Sequence, residues 1–423
     1  MSEFKAHSGS LLSGFMNIKN IPVFFSAPHR VMFFAGSIQL ILVLLFWSIE
    51  LAGRFTSLWA PLPLSVPDTW VHVFLMIYCL YPFFMFGFLM TTYPKWLNTD
   101  PIPVQSYVPA YLLLVAGVVL FYIGIFTTKL LVEIALILFL CGWLVALVVL
   151  LNIYFCATHR NSFFEHILSS LITIGFIGGC SNLLWLLSGN DVFLQFSIIG
   201  GFWLFLLPVL ITVSHRMIPF FSSMALENYD IKRPFWALVI MISCLFGHAL
   251  LTILSRPQWT FIFDFLLAGI ACYLSWLWGF RKSFKVPLLA MLHIAFLWLP
   301  VGMLMSGLQS LYLYIFNELI LGKAPIHAIG IGFATSLVLA MATRVTLGHS
   351  GRNLIAARFT IACFWLLQLI AVFRIFGDIP QTILPNMHHW TLLAGILWIF
   401  CFLLWASQFT PIYLKPRVDG KPG

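Results

Sequence analysis

One helix-length stretch carries the strongest signal in this chain: His327-Ala-Ile-Gly-Ile-Gly-Phe-Ala-Thr-Ser-Leu-Val-Leu-Ala-Met-Ala-Thr-Arg344. It continues as Val-Thr-Leu-Gly-His349-Ser-Gly-Arg352. An apolar segment therefore has a histidine at one end and a second histidine with two arginines at the other. Polar groups on a membrane helix are costly and usually lie where something is bound or transported. The stretch predicts a membrane helix with a functional group at each end.

The composition extends this prediction to the whole chain. Hydrophobic residues make up 61% of the sequence and charged residues only 8%, which excludes a soluble globular protein. A bilayer core needs about 20 apolar residues per helical span. Twelve such windows follow one another, and we predict an all-α, polytopic integral membrane helical bundle of about twelve transmembrane helices. The windows are Val31–Leu51, Trp70–Thr92, Val108–Phe126, Leu130–Leu151, Glu165–Leu187, Val192–Val213, Phe235–Leu254, Trp259–Phe280, Pro287–Leu308, Pro325–Thr343, Phe359–Phe376 and His389–Phe409.

The distribution of lysine and arginine predicts the orientation of the bundle. With a cytoplasmic N-terminus, 17 of the 22 basic residues fall inside and 5 outside, so both termini are expected in the cytoplasm. The net charge of +9 is then an orientation signal, and no basic run indicates a nucleic-acid partner. We expect a cytoplasmic segment at 1–30 with an interfacial stretch, a membrane domain at 31–410 and a cytoplasmic tail at 411–423. No cleavable signal peptide is expected.

Cysteines and acids exclude some classes of site. The eight cysteines are scattered singly and form no CxxC pair, so we predict neither a zinc pair nor covalent haem attachment, and treat them as packing residues. Glu50 and Asp264 are the most noticeable carboxylates inside apolar windows. Their scarcity argues against a proton-coupled transporter, which would usually need a relay of buried acids.

Several histidines fall toward the predicted outer face. Imidazole is neutral when it binds a metal and tolerates low dielectric, so histidines in membrane spans are candidate haem or metal ligands. His72 and His327 each begin a helix at similar depth and form a candidate pair, whereas His248 is expected to be a hydrogen-bonded packing histidine. Gly330 and Ala334 lie one and two α-helical turns beyond His327. Small residues there would admit a flat macrocycle or a closely packed helix.

A second group of polar residues falls toward the predicted cytoplasmic face. His215, His293 and His349 are its candidate ligands. Arg216 and Arg344 could clamp haem propionates or another anion, because guanidinium offers a planar fork to carboxylates and phosphates. Both arginines could equally be simple orientation charges.

The remaining histidines divide between a candidate copper site and solvent. The adjacent pair His388-His389, preceded by Met387, could bind copper or could be an ordinary interfacial helix start. We expect three other histidines to be solvated: His7, His29 and His159.

These residues belong to a longer pattern. The segment from Ile326-His327 through Met341-Ala-Thr343-Arg344-Val-Thr-Leu-Gly348-His349-Ser-Gly351-Arg352 resembles the signature of the NnrS family, membrane proteins associated with the bacterial response to nitric oxide. Four further patches, spread over nearly the whole chain, are similar to that family: Gly87-Phe-Leu-Met-Thr-Thr-Tyr-Pro-Lys-Trp96, Arg216-Met-Ile-Pro219, Leu292-His293 and Pro411-Ile-Tyr-Leu-Lys-Pro-Arg-Val-Asp-Gly-Lys-Pro-Gly423.

The chain departs from the family pattern at two places. The family's Trp-His-Ala-His-Glu corresponds here to Val71-His72-Val-Phe74-Leu75, so the second histidine and the glutamate are absent. This departure predicts fewer bound metals, copper above all. Conversely, Ser214-His215 replaces a Gly-Gly, which makes His215 a candidate ligand of this chain's own.

The resemblance implies a haem-binding protein of the bacterial cytoplasmic membrane, with haem b and copper as cofactors, that acts in nitric oxide metabolism or resistance to nitrosative stress. Its implied partners are the lipid bilayer, nitric oxide or a related small molecule, and an electron donor such as quinol or a cytochrome. From the depth of the histidines we predict as haem ligands His72 with His327 on the outer side, and His293 with His349 or His215 on the inner side.

Two other functional classes stay open. A haem-dependent oxidoreductase acting on nitric oxide would need a proton path and electron entry, for which the sequence offers little. A twelve-helix transporter or metal- and haem-handling protein would suit the helix count, although no repeat relates the two six-span halves. In every case His327 and His349 cannot share one metal, because about 22 helical residues separate them by about 33 Å. The quoted helix is therefore predicted to link two sites.

Overall fold

The computed structural model describes residues 22–157, 162–380, 382–384 and 388–421, without the side chain of His388. Over these residues the chain is helical and contains no strand. Eleven helices are long and apolar enough to cross a membrane. The predicted all-helical chain built from membrane-length segments is confirmed in this form.

Twelve long helices form the bundle, and one of them is too short to count among the eleven. The segment predicted as the eighth span folds as a helix of 17 residues. The helices are α1 Pro28–Phe55, α2 Asp68–Leu97, α3 Val104–Ile125, α4 Lys129–Cys156, α5 Phe163–Ser188, α6 Asp191–Ala225, α7 Phe235–Ile253, α8 Phe261–Leu277, α9 Pro287–Phe316, α10 Ala324–His349, α11 Arg358–Asp378 and α12 His388–Tyr413. Single turns at Val23–Phe25, Pro257–Trp259 and Phe280–Ser283 lie between or before them.

Several helices continue past the apolar windows that predicted them. The helix α6 runs to Ala225 and α10 to His349, so Arg216 and Arg344 lie inside helices and not after them. A hydropathy window stops at a cation, but a helix does not have to stop when the cation has a partner. Arg216 has one in Glu165, whose carboxylate lies 2.9 Å from its guanidinium.

The helices form three consecutive groups of four around a common axis. The hairpins α3–α4, α7–α8 and α11–α12 pack on the outside, and the ring closes where α4 meets α5, α8 meets α9 and α12 meets α1. The second helix of each group is the most enclosed: 89%, 78% and 78% of the most apolar stretches of α2, α6 and α10 are buried. We call α2, α6 and α10 the axial helices. The three groups of four helices explain why no repeat relates the two six-span halves of the sequence.

Each axial helix contains a π-helical segment in its first half. The segments are Leu75–Leu80, Gly200–Leu206 and Ala328–Thr335. A π turn is wider than an α turn and is common at functional sites. In α10 the segment begins directly after His327, so the α-helical spacing that placed Gly330 and Ala334 on the face of His327 does not apply.

Two glycines allow the axial helices and α5 to meet closely. A Cβ atom at Gly178 of α5 or at Gly201 of α6 would overlap with the hydroxyl of Tyr78 of α2. That hydroxyl donates a hydrogen bond of 2.7 Å to the carbonyl of Ser197. The π segments of α2 and α6 therefore lie against each other through a tyrosine for which only glycine leaves room.

Both described ends of the bundle lie together. The guanidinium of Arg30, at the start of α1, donates to the carbonyls of Tyr413 and Lys415 at 3.1 and 2.8 Å. We call this end of the bundle the tail face and the other end the opposite face. The distribution of basic residues predicts that the tail face is cytoplasmic.

Candidate functional site

A cluster at the opposite face joins α2, α10 and α11. The Nδ1 atom of His327 lies 2.5 Å from the Oδ2 atom of Asp378, and Arg374 forms an ion pair with the other oxygen of the same carboxylate. The ring of His72 stacks on Trp47 with centroids 4.3 Å apart. His327, Arg374 and Asp378 are electrostatic neighbours of His72. The two histidines predicted to pair are thus brought into one cluster.

The imidazoles of this cluster have ligand-like surroundings. The Nδ1 atom of His72 is buried and has no hydrogen-bond partner. Asp378 and the carbonyl of Lys323, 3.2 Å away, occupy Nδ1 of His327 and leave Nε2 as the nitrogen available to a ligand. A carboxylate on the second ring nitrogen is the usual orienting partner of a metal-bound histidine. A Cβ atom at Gly330 would meet nothing within 4 Å, so open space adjoins this helix.

Sequence reasoning did not find Asp378 or Arg374. Asp378 ends α11 and Arg374 lies one turn before it, where an acid and a base are ordinary solvated residues of a helix end. Their roles follow only from the packing of α11 against the start of α10, which brings Asp378 to His327. Their spacing by four residues indicates an intrahelical pair, but it does not indicate a histidine from another helix.

A basic cavity of about 510 Å³ opens at the tail face between the axial helices. Each axial helix contributes one cation to it: Lys95 from α2, Arg216 from α6 and Arg344 from α10. Arg233, before α7, and Arg417, from the tail, add two more. We call these five residues and the space they surround the basic cavity.

Only two of the five cations have carboxylate partners. Arg216 pairs with Glu165 and also lies over the ring of Trp96, 3.9 Å from its centroid. Arg417 binds Asp419 at 2.5 Å, two residues further along the tail. The other cations of the cavity have no ion pair with any described residue. The cavity therefore carries a positive charge that the described residues leave uncompensated.

The three histidines predicted as ligands on the cytoplasmic side, His215, His293 and His349, do not form one cluster. Of the three predicted ligands only His349 lines the basic cavity, where it shares the wall with Arg216 and Arg344. The Nε2 atom of His293 lies 3.1 Å from the hydroxyl of Ser222. His215 is fully buried, and its Nε2 atom lies 3.2 Å from a backbone carbonyl, that of Pro234. No ring contact among the described residues joins these three histidines.

His349 instead packs against a histidine that the sequence assigns to solvent. The rings of His29 and His349 lie 4.7 Å apart. The prediction that His29 is solvated is wrong, because only 3% of it is exposed. Two residues before the start of the predicted first span, a histidine looks terminal, but α1 begins earlier and the tail covers it. His7 and His159 lie outside the described residues.

His248 has the packing role predicted for it, within a polar network that was not predicted. Its Nδ1 atom lies 2.6 Å from Asp264, and Ser306 donates to the other carboxylate oxygen at 2.9 Å. The ring of Trp203, in the π segment of α6, stacks on His248 with centroids 3.7 Å apart. Helices α6, α7, α8 and α9 thus share one buried network.

Buried acids are more numerous than the sequence indicated. Besides Glu50 and Asp264, the residues Glu165 and Asp378 are also buried, at 1% exposure for Glu165 and 7% for the side chain of Asp378. Each of the four has a cationic or histidine partner, Arg54 in the case of Glu50. Asp378 was overlooked because it lies beyond the window Phe359–Phe376, and Glu165 because it is the first residue of its window, where an acid looks like a solvated helix end.

The structure gives no support to a copper site. No group of three or more histidine, cysteine or acidic side chains in the described part of the chain could hold a metal ion. Phe74 and Leu75, which replace the family's histidine and glutamate, are buried in apolar packing. At the predicted copper pair, the side chain of His388 lies outside the described residues. The ring of His389 is 5.6 Å from that of Trp390.

An apolar cavity of about 50 Å³ lies on the axis and adjoins the basic one. Met85, Val209 and Leu337 line it from the three axial helices, and Phe88 borders both cavities. The polar clusters of the two faces are therefore separated by apolar packing along the axis.

Two comparisons bear on this arrangement. The sequence profile of the family described as "NnrS protein" matches residues 23–417, nearly the whole chain. No curated protein matches the sequence.

Proposed function

The chain belongs to the NnrS family, and from this premise we propose that it is a haem-binding, multi-pass protein of the bacterial inner membrane that acts in the response to nitric oxide. The family match supports the role in nitric oxide metabolism or nitrosative stress. The apolar, membrane-length helices support the multi-pass location.

The observation that carries the haem proposal is the cluster at the opposite face. His72 offers a buried ring nitrogen without a partner, and His327 has the carboxylate partner that orients a ligand imidazole. Haem b needs only two such histidines and no third ligand. These residues fit the cofactor, and we assign His72 and His327 as its ligands.

The chain's own residues would set the properties of the bound haem. Asp378 would hold the imidazole of His327 in one orientation and increase its basicity as a ligand. Arg374, paired with the same carboxylate, would keep Asp378 ionised. Trp47, stacked on His72, would shield that ring from water. The haem itself would supply a redox-active iron, and nitric oxide would bind to that iron only in place of one of the two histidines.

An inner haem is the weaker part of the proposal. His349 would be its ligand from the wall of the basic cavity, with Arg216 and Arg344 on its propionates. His293 and His215 would have to leave Ser222 and the carbonyl of Pro234 to take part. Copper has even less support, because the described residues offer no group of three ligands.

The pyridine haemochrome spectrum of the detergent-purified protein tests the proposal. We expect haem b in the wild type and its loss or a spectral shift in H327A. The exposed His166, whose ring lies 3.1 Å from the hydroxyl of Tyr154, gives the control variant H166A. Absence of haem from the wild type would end the proposal. Haem that survives in H327A but not in H293A would move the site to the tail face.

Whether the haem catalyses or senses is decided by a turnover assay. An oxidoreductase acting on nitric oxide would consume it anaerobically when supplied with a quinol or a reduced cytochrome, whereas a sensor would bind it without consumption.

A transporter is the alternative class. Its usual design of two related halves does not agree with three groups of four helices, and uptake by reconstituted vesicles tests it directly.

A further inference from the structure

Arg344 is a buried cation without a counter-charge. Only 5% of it is exposed, its Nε atom has no hydrogen-bond partner, and no described residue forms an ion pair with it. Its guanidinium lies over the ring of Phe221, 4.2 Å from the ring centroid. A buried charge without a partner is strongly destabilising. Such a group indicates that an anion from outside the described residues compensates its charge.

The other cations of the basic cavity increase this need. Glu165 and Asp419 compensate Arg216 and Arg417. Lys95 and Arg233 stay uncompensated, as Arg344 does, although Arg233 donates to the carbonyl of Arg216 at 3.1 Å. Burial lowers the pKa of Arg233, which shows that its charge is also partly removed from water. Three positive charges thus face one space.

The geometry selects the kind of anion. The axial helices present Lys95, Arg216 and Arg344 from three directions, so a ligand at the axis would be held on several sides. Arginine forks bind phosphate and carboxylate oxygens two at a time, and Lys95 would add a point charge. A volume of about 510 Å³ lies in the range of small-molecule sites.

We propose that the basic cavity is a binding site for a phosphate-type oxyanion with two or more negative charges, centred on Arg344 and entered from the tail face. This goes beyond the haem assigned to His72 and His327 at the opposite face, and it replaces the weaker inner haem as the occupant of this cavity. The site does not contain the histidine pair that a haem needs, since His349 is the one histidine on its wall.

Two sources could supply the phosphate group. A free phosphate or phosphorylated metabolite would enter from solution. The headgroup of an anionic phospholipid would enter from the bilayer, past Phe220 and Met224, which are 39% and 62% exposed and also line the cavity. Both sources use the same recognition by Arg344 and Lys95.

Calorimetric titration of the full-length, detergent-purified protein with inorganic phosphate tests the site at fixed ionic strength. We expect saturable binding that R344Q weakens by at least about tenfold, the effect of one lost charge-assisted interaction. The exposed Lys95 gives K95Q, a second variant that cannot disturb a buried core. The control is K282Q, at an exposed lysine outside the cavity. Equal binding by the wild type, R344Q and K95Q would overturn the proposal.

The lipid arm uses nanodiscs of phosphatidylcholine with or without phosphatidylglycerol. Retention of phosphatidylglycerol by the wild type but not by R344Q or K95Q, in native mass spectra, would support the site and identify the bilayer as its source. Retention of neither phosphate nor phosphatidylglycerol would overturn it. So would loss of haem in R344Q and K95Q without any phosphate binding by the wild type, because the cavity would then belong to propionates.

Discussion

Asp378 lies with its Oδ2 atom 2.5 Å from the Nδ1 atom of His327, although 50 residues lie between them in the chain. The pair ties the end of α11 to the start of α10 at the opposite face. It resembles the buried pair of His248 and Asp264, which also joins two helices near their ends at the opposite face. The first pair also has a second histidine, His72, as an electrostatic neighbour.

We predict that D378N weakens haem binding while D264N does not. Asparagine keeps the size of the side chain but removes the charge that orients His327 and strengthens it as a ligand. Loss of such a partner typically costs about 10- to 100-fold in affinity. Haem content from the pyridine haemochrome, normalised to protein, measures the effect. Equal haem in both variants would assign the Asp378 pair to packing alone.

The close approach of α5 and α2 makes a second prediction. G178A should destabilise the protein by about 1–3 kcal/mol, because the new methyl group overlaps with the hydroxyl of Tyr78. Y78F should cost about 1 kcal/mol through the lost hydrogen bond to Ser197. The double variant should be less destabilised than the sum, since removal of the hydroxyl frees the space. Thermal unfolding in detergent measures this, and simple additivity would contradict the overlap.

The network around Asp264 is predicted to be structural. D264A removes the partner of His248 and of Ser306 and should destabilise by about 3 kcal/mol or more, the usual cost of breaking a buried pair. S306A should cost only about 1 kcal/mol, because the carboxylate keeps its histidine. Melting temperatures measured by tryptophan fluorescence give the comparison. A smaller loss in D264A than in S306A would contradict this ranking.

The tail gives a prediction for pH. Val418 donates to the carbonyl of Ser350 at 3.1 Å, and the Arg417 guanidinium holds the pKa of Asp419 well below its usual range. A carboxyl with a lowered folded pKa contributes stability that is present above its unfolded value, about 3.9, and is lost as the pH falls through the folded value. After correction for intrinsic exchange rates, the protection of the Val418 amide should therefore be unchanged by mild acidification and should fall only below about pH 4.

The matched variant D419N tests the cause. It removes the carboxylate, so amide exchange at Val418 should be faster at neutral pH and should lose its dependence on acid. After correction for intrinsic exchange rates, a rise in wild-type exchange between neutral pH and about pH 5 would contradict the assignment, because Asp419 is still ionised there.

Much of the fold could be predicted from the sequence, because each spanning helix satisfies its own backbone hydrogen bonds and is marked by a run of apolar residues. Apolar windows located all twelve helices, including α8, which is shorter than its window. They failed at helix ends, where α6 and α10 continue through Arg216 and Arg344. Hydropathy counts a cation as an end, whereas the fold pairs it or stacks it on an aromatic ring.

The candidate sites were predicted in part. Depth along each helix was enough to group His72 with His327, and His349 with Arg216 and Arg344. It could not find partners such as Asp378, because no periodicity relates a helix end to a residue 51 positions earlier. Nor could it separate His293 from His349, since depth does not specify which neighbour a side chain faces.

The wide turns in the axial helices have a consequence for how this chain tolerates change. A π turn holds one residue more than an α turn, so everything after it is rotated by about 100° relative to an uninterrupted helix. In α10 this rotation lies between His327 and Arg344, so it changes the direction of Arg344 relative to that of His327. Deleting one residue from Ala328–Thr335 would remove the wide turn and leave a regular helix with both His327 and Arg344 in place, whereas closing the wide turn without a deletion would turn Arg344 away from the axis. The wide turn in that segment therefore determines the direction in which Arg344 points relative to His327.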